Sequence, residues 1–155
     1  MANIQQKFYL TPEGLAKLKK EHEESTVKKR PLAVERLARA REFGDLTENS
    51  EYFAAREDLM FMDDRIAELE HILKDVQLVK SPKNHDTVQL GSTIVVEVSG
   101  DMDEFTIVGK LEADPFRGKI SNESPVGMAL LGHQVGDEII VSSSVKTTYK
   151  IKTIK

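Results

Sequence analysis

Residues 52–76 read YFAAREDLMFMDDRIAELEHILKDV. Tyr52, Ala55, Leu59, Met62, Ile66, Leu69, Leu73 and Val76 recur at alternating spacings of three and four, and all are apolar. That pattern is a heptad seam sustained over several heptads. The residues between are mostly charged, among them Arg56, Glu57, Asp58, Asp63, Asp64, Arg65, Glu68 and Glu70. The spacing predicts a helix of roughly 28 residues, about 42 Å long, whose apolar edge needs a partner.

The partner lies upstream. Thr11 fits an N-cap, with Pro12 at the first helical position and Glu13 in the first turn. Leu15 and Leu18 begin an apolar stripe that weakens at His22 and Ser25. Pro31 interrupts it, and the spacing resumes one position over, at Ala33, Leu37 and Ala40. A mid-helix proline removes a backbone donor, so a bend is expected there. Phe43-Gly44 ends the helix. A short turn between two such helices makes them antiparallel neighbours. Residues 1–80 are therefore expected to form a coiled-coil hairpin whose loop, near 44–50, is its far tip.

Residues 81–155 follow another grammar. The polar stretch Ser81-Pro82-Lys83-Asn84-His85-Asp86 marks the expected boundary. Glycine is sparse before it (Gly14, Gly44) and frequent after it, where seven occur. Charge runs the other way, with 30 of the 48 Lys, Arg, Asp and Glu residues in 1–80. Ser92–Val98, Glu104–Gly109, Glu138–Val141 and Thr147–Ile154 have the β-branched, alternating character of strands. Val126–Leu131 reads as a short helix closed by Gly132. The fold class expected is α+β: a helical hairpin followed by a small, twisted, mostly antiparallel sheet or open barrel.

Composition narrows the function. With no cysteine among 155 residues, a disulfide scaffold, a Cys-ligated zinc site and a thiol nucleophile are excluded. Met1–Leu10 has no apolar core of a secretory signal. No apolar run approaches the roughly 18 residues of a membrane span, so a soluble, cytoplasmic chain is expected, with no membrane partner. The net charge of −4 argues against a general DNA-binding protein. His22, His71, His85 and His133 share no metal-ligand spacing, and no Ser-His-Asp set or Gly-rich phosphate loop occurs.

The tip loop, Gly44-Asp45-Leu46-Thr47-Glu48-Asn49-Ser50-Glu51-Tyr52, gathers Asp45, Glu48 and Glu51. Hard carboxylate oxygens at this spacing suit Mg²⁺, which is commonly held by one or two carboxylates plus waters and phosphates. The same residues also fit an Asp-headed capping box, with Thr47 or Asn49 as alternative N-caps and the acids favouring a helix N-terminus. The two readings are compatible. Arg41 and Arg56 flank the tip, either solvated or paired with Glu48 or Glu57, or free to meet phosphate.

At this level of detail the chain resembles the bacterial transcript cleavage factors of the GreA/GreB family. Residues 40–52, from Ala40-Arg41-Glu42-Phe43-Gly44-Asp45 to Tyr52, look like that family's tip motif. Thr11-Pro12-Glu13-Gly14, Arg30-Pro31, Ile107-Val108-Gly109, Glu112-Ala113-Asp114, Ile120-Ser121, Ser124-Pro125, Ala129-Leu130-Leu131-Gly132 and Gly136-Asp137 follow in the family's order. Asp45-Leu46 and Glu112-Ala113-Asp114 favour its GreA branch. Phe43 stands where histidine is common, Ser50 where alanine is common, and Ser142–Lys146 lacks the usual Pro-Gly character.

The resemblance implies a coiled-coil hairpin (1–80) and an FKBP-like polymerase-docking domain (81–155). It implies a monomer that binds bacterial RNA polymerase through the secondary channel and stimulates hydrolysis of backtracked nascent RNA. The chain would not be an enzyme itself and would have no cofactor of its own, only Mg²⁺ shared with the polymerase active site. Carried over by position, Asp45 and Glu48 are the catalytic tip pair and hold the second Mg²⁺ in the complex. Asn49, Glu51 and Tyr52 support the tip. Arg41 and Arg56 face the RNA 3′ segment, and Asp114, Ser121, Ser124 and Pro125 meet the polymerase. The alternative is a secondary-channel regulator that inhibits the polymerase without cleavage. Prolyl isomerisation is disfavoured, since residues 81–155 offer only Phe105, Phe116 and Tyr149 to line an aromatic pocket.

Overall fold

The computed structural model describes residues 7–155; the reading of the N-terminus falls largely on residues 1–6, outside the described residues. The chain is α+β. Strand β1 (Phe8–Leu10) precedes helix α1 (Pro12–Glu24), a π-helical turn (Ser25–Lys29), α2 (Arg30–Arg41) and α3 (Ser50–Lys74). There follow β2 (Val76–Leu78), β3 (Thr93–Val98), β4 (Asp101–Val108), β5 (Lys119–Ser121), α4 (Pro125–Leu130), β6 (Glu138–Ser142) and β7 (Lys146–Ile154).

Two compact units divide the chain. One is the hairpin, Leu15–Asp75; the other joins the described residues before Leu15 with Val76–Lys155. The expected hairpin, residues 1–80, takes in residues 8–14 and 76–80. They belong with the β unit because β1 pairs in parallel with β2, Phe8 opposite Val76 and Leu10 opposite Leu78. Val79 N–H donates to Leu10 O at 2.8 Å, and both side chains are buried. Gly109 admits this strand, since a Cβ there would strike the Tyr9 carbonyl.

In the hairpin, Ala55, Ile66 and Leu69 of the expected seam are buried, and Tyr52, Leu59, Met62 and Leu73 are half-buried. Val76, its last expected member, is instead the first residue of β2, and Ile72 is buried beside Leu73. Facing them, Ser25 and Ala40 are buried. Two helices cannot enclose much apolar surface, and here charges tie them together. Arg65 forks onto Glu21 (2.8 and 3.1 Å), Arg30 reaches Asp63 (2.7 Å), Arg36 forks onto Glu51 (2.7 and 3.2 Å) and also holds Asp58, and His22 meets Glu70 (3.2 Å). Partners descend along one helix as they ascend along the other, so the helices are antiparallel.

Pro31 is accommodated by the π turn. A proline ring clashes with the carbonyl four residues back and offers no N–H. Here Arg30 N–H reaches five residues back to Ser25 O, and the helix widens by one residue before the proline. The inserted residue accounts for the apolar spacing that resumes one position over.

The β unit is a five-stranded sheet of order β5-β4-β3-β7-β6, antiparallel except for β4–β5, with a register shift between Val95 and Val96. Val88, Ile94, Val96, Ile107, Leu130, Ile139, Val141, Ile151 and Ile154 form its core, α4 supplying Leu130. Phe105 and Tyr149 pack partly against this core, while Phe116 is fully exposed and lines nothing. No helix of the described residues is long and apolar enough to cross a membrane.

Candidate functional site at the hairpin tip

Helix α2 closes with Glu42 N–H on Arg39 O at 3.2 Å, and Gly44 takes φ +95°, a left-handed conformation suited to glycine. The next helix begins under Asn49, whose extended backbone makes it the N-cap. Its Oδ1 accepts from Tyr52 N–H at 3.0 Å. The same side chain turns its amide back across the loop, Nδ2 donating to Ala40 O at 2.8 Å. One residue thus caps α3 and occupies a carbonyl left over at the end of α2.

The cap settles which acids are structural. Asp45 and Glu48 both precede the cap residue, so neither belongs to a capping box of α3. Asp45 Oδ1 accepts the Thr47 backbone N–H at 2.9 Å and also the Thr47 hydroxyl. Those bonds hold the Asp45 carboxyl below its ordinary pKa, the hydroxyl being the larger cause. Oδ2 of Asp45 and both oxygens of Glu48 have no partner among the described residues, and both side chains are exposed. Glu51 differs. The Arg36 fork satisfies it and lowers its pKa, the hydrogen bonds being the larger cause. Of three tip carboxylates, two remain available.

The arginines divide the same way. Arg30, Arg36 and Arg65 are bonded to acids across the hairpin, and Arg39 lies 3.6 Å from Glu35. Arg41 and Arg56 have no carboxylate partner among the described residues; neither pairs with Glu48 or Glu57. Arg41 lies over the Tyr52 ring, 5.9 Å from its centroid. Phe43, two positions after Arg41 in the chain, is 80% exposed. Carboxylates with unpartnered oxygens, as Asp45 and Glu48 have, are groups that bind a hard cation, and guanidinium groups without a carboxylate partner, as Arg41 and Arg56 have, are groups that bind phosphate. Among the described residues no group of three or more His, Cys, Asp or Glu side chains could hold a metal ion.

The family model described as the transcription elongation factor N-terminal region matches residues 8–78, and the GreA/GreB C-terminal model matches 83–155. The chain belongs to the GreA/GreB family of transcription elongation factors. It is 45% identical over 146 residues to transcription elongation factor GreA of Geobacillus kaustophilus, covering 92% of each chain. It is 43% identical over 136 residues to that of Thermomicrobium roseum, covering 86% of this chain and 87% of the other. Among solved structures, GreA factor homolog 1 of Thermus thermophilus aligns over 97% of this chain and 99% of its own, at 28% identity and TM-score 0.45.

In this GreA/GreB chain the residues expected to dock are tied into local structure. Ser124 caps α4, its Oγ accepting from Gly127 N–H at 3.0 Å and donating to Ser121 O at 2.7 Å, with Pro125 at the first helical position. Ser121 Oγ accepts from Glu123 N–H at 3.1 Å. Asp114 lies 3.5 Å from Arg117. Their hydroxyls shape this surface more than they project from it. Arg36 is not singled out by the sequence, and Thr47 is singled out there only as an alternative N-cap, whereas it bonds Asp45. Thr47 sits two residues from Asp45 and could have been read as an Asx turn; Arg36 acts across the hairpin and leaves no local signal.

Proposed function

We propose that the protein binds bacterial RNA polymerase and stimulates hydrolytic cleavage of backtracked nascent RNA through Asp45 and Glu48. The observation that carries this reading is the sorting of the tip charges. Every nearby structural need is met by other residues: Asn49 caps, Arg36 neutralises Glu51, and Thr47 holds one oxygen of Asp45. Two carboxylates are left with free oxygens at the end of a helix of 25 residues, about 37 Å long.

Two carboxylates make half a metal site, and they fit a cation whose other ligands come from elsewhere. A second Mg²⁺ shared with the polymerase would activate the attacking water in a two-metal hydrolysis. The chain's own part is to hold Asp45 ionised and oriented, to bring Glu48 beside it, and to offer Arg41 and Arg56 to the RNA 3′ segment. Polymerase docking falls to the surface carrying Asp114, Ser121, Ser124 and Pro125. The protein acts as a monomer in the cytoplasm.

The test mixes the protein with a stalled, backtracked bacterial elongation complex carrying 3′-labelled RNA and Mg²⁺. Release of short 3′ fragments above the polymerase-only rate is expected, and its loss in Asp45→Ala and Glu48→Ala while polymerase binding persists. Slower elongation without cleavage would instead identify an inhibitor of the channel.

A further inference from the structure

We propose that the groove beside the π turn receives the Glu42–Phe43 corner of a second copy of this chain, so that two hairpins pair antiparallel and each covers the other's tip. The pairing stands on the hairpin alone. Its consequence, a reserve form that withholds Asp45 and Glu48, rests on the cleavage reading above.

The groove lies midway along the hairpin and encloses about 530 Å³. Its walls are apolar: Leu32, Phe61 and Met62 line it with Ala33 and Ala55, and Leu32 and Phe61 are 63% and 61% exposed. Open apolar surface of this kind marks a site of contact. The π turn adds two polar groups, Ser25 at its start and Lys29 at its end. Ser25 is only 5% exposed, and its hydroxyl makes no hydrogen bond among the described residues. No unpartnered polar side-chain atom of those residues is fully enclosed, so the hydroxyl keeps its open surface on the groove it lines. Lys29 likewise has no carboxylate partner among the described residues. The acids of the groove are committed elsewhere, Glu21 to Arg65 and Asp58 to Arg36. An ammonium and a hydroxyl beside an apolar slot are left unmatched. Together they fit a carboxylate that adjoins an apolar side chain.

The chain displays that combination once more along the same arm. The Glu42 side chain has no partner among the described residues, and its neighbour Phe43 is exposed. Both line a cleft that shares Arg36 with the groove, so corner and groove lie on one side of the hairpin. Phe43 is ten positions beyond Ala33, about 15 Å along the arm. A two-fold axis crossing the arm between them carries the corner of each copy to the groove of the other, and both contacts form together. Phe43 then leaves water for the slot between Leu32 and Phe61, and Glu42 meets Lys29 and the Ser25 hydroxyl. No third surface is required, because the two unmatched features of this face satisfy each other. Asp45 and Glu48, two and five positions beyond Phe43, are held against the partner's arm, and the monomer is the form that reaches the polymerase.

Sedimentation equilibrium of the full chain, over a concentration series up to about 1 mM, reads the pairing; circular dichroism reads helix content. Wild type is expected to pass from monomer to dimer. Lys29→Glu and Glu42→Lys each set like charges at both contacts and are expected to weaken pairing by at least about 10-fold, with helix content unchanged. Phe43→Ser is expected to weaken it through lost apolar burial. The deciding sample is an equimolar mixture of Lys29→Glu and Glu42→Lys, in which opposite charges meet again at both contacts, so dimers return as mixed pairs. A wild type that stays monomeric throughout, or a mixture as monomeric as its components, overturns the proposal. So does a Lys29→Glu chain that pairs as wild type does but binds polymerase more weakly, which would give the groove to the polymerase. Fragment release per mole of protein is expected to fall as the wild-type dimer forms. A wild type that pairs yet gives no cleavage at any concentration upholds the pairing and sinks the cleavage reading alone.

Discussion

Glu112 closes the start of a helix that lies 101 positions earlier in the chain: its Oε2 accepts the Thr11 backbone N–H at 2.6 Å and its Oε1 the Thr11 hydroxyl at 2.5 Å. Thr11 Oγ1 in turn accepts from Gly14 N–H at 3.1 Å, as an N-cap does. Gly14 belongs to the same arrangement, because a Cβ there would run into the Glu112 carboxylate. Two short motifs far apart in sequence thus have one structural explanation. Glu112→Ala is expected to destabilise the fold by about 1–2 kcal/mol, the scale of a lost cap and a charged hydrogen bond. Glu112→Gln should cost less, since one acceptor survives. Thermal melts followed by circular dichroism distinguish the two.

Asn49 makes two separable bonds. Asn49→Asp keeps an acceptor for Tyr52 N–H and loses the donor to Ala40 O; Asn49→Ala loses both. Backbone amides of residues 42–53 are expected to exchange fastest in the alanine variant, with the aspartate variant between it and wild type. Cleavage should follow the same order, although both acids are intact. Equal exchange in all three proteins would show that the loop does not depend on this residue.

Thr47 holds Asp45 in its ionised form. In Thr47→Val the hydroxyl bond goes and the backbone N–H bond stays, so the Asp45 pKa should rise toward its ordinary value without reaching it. A carboxylate with a lowered native pKa contributes stability above its unfolded pKa and loses it as pH falls through the native one. The Thr47–Asp45 contribution is therefore present at neutral pH and vanishes in acid. Carboxyl chemical shifts recorded across an acid titration give the pKa directly. Near pH 7 Asp45 is ionised in both proteins, so any loss of cleavage in Thr47→Val reports orientation and not charge.

Arg36→Leu should lower the melting temperature of the hairpin near neutral pH. The difference should shrink as pH falls from the ordinary range of glutamate through the native pKa of Glu51, which Arg36 depresses, since only below that native value is Glu51 protonated in either protein. It should also shrink in 1 M salt, which screens exposed pairs. A melting difference independent of both pH and salt would assign the effect to packing of the arginine stem.

The helices were legible because apolar spacing repeats along them, and the tip acids because carboxylates crowd a turn. Strands β1, β2 and β5 were not read, being three residues each and too short for alternation to register. The division of labour among the tip acids was equally hidden. Asp45, Glu48 and Glu51 look alike in a row, and the residue that removes Glu51 lies 15 positions away on the facing helix. The cap was half-read: Thr47 and Asn49 both fitted, and only Asn49 has the extended backbone and the reach to Ala40. The phase slip around Pro31 was visible in the sequence and was read as a bend; the π turn gives it a geometric cause.

That turn sets the angular bearing of everything beyond it. Each residue of an α-helix advances the side chains by about 100°, so the extra residue at Ser25–Lys29 brings the seam back onto α3 at Ala33, Leu37 and Ala40 after the proline. A single deletion within the turn would leave the fold's elements and the acids in place while swinging the far half of the arm by a quarter turn or more. Length changes in this arm are consequently tolerable only in steps that restore its phase, and the aim of the tip is written in the residue count of a segment some twenty positions away.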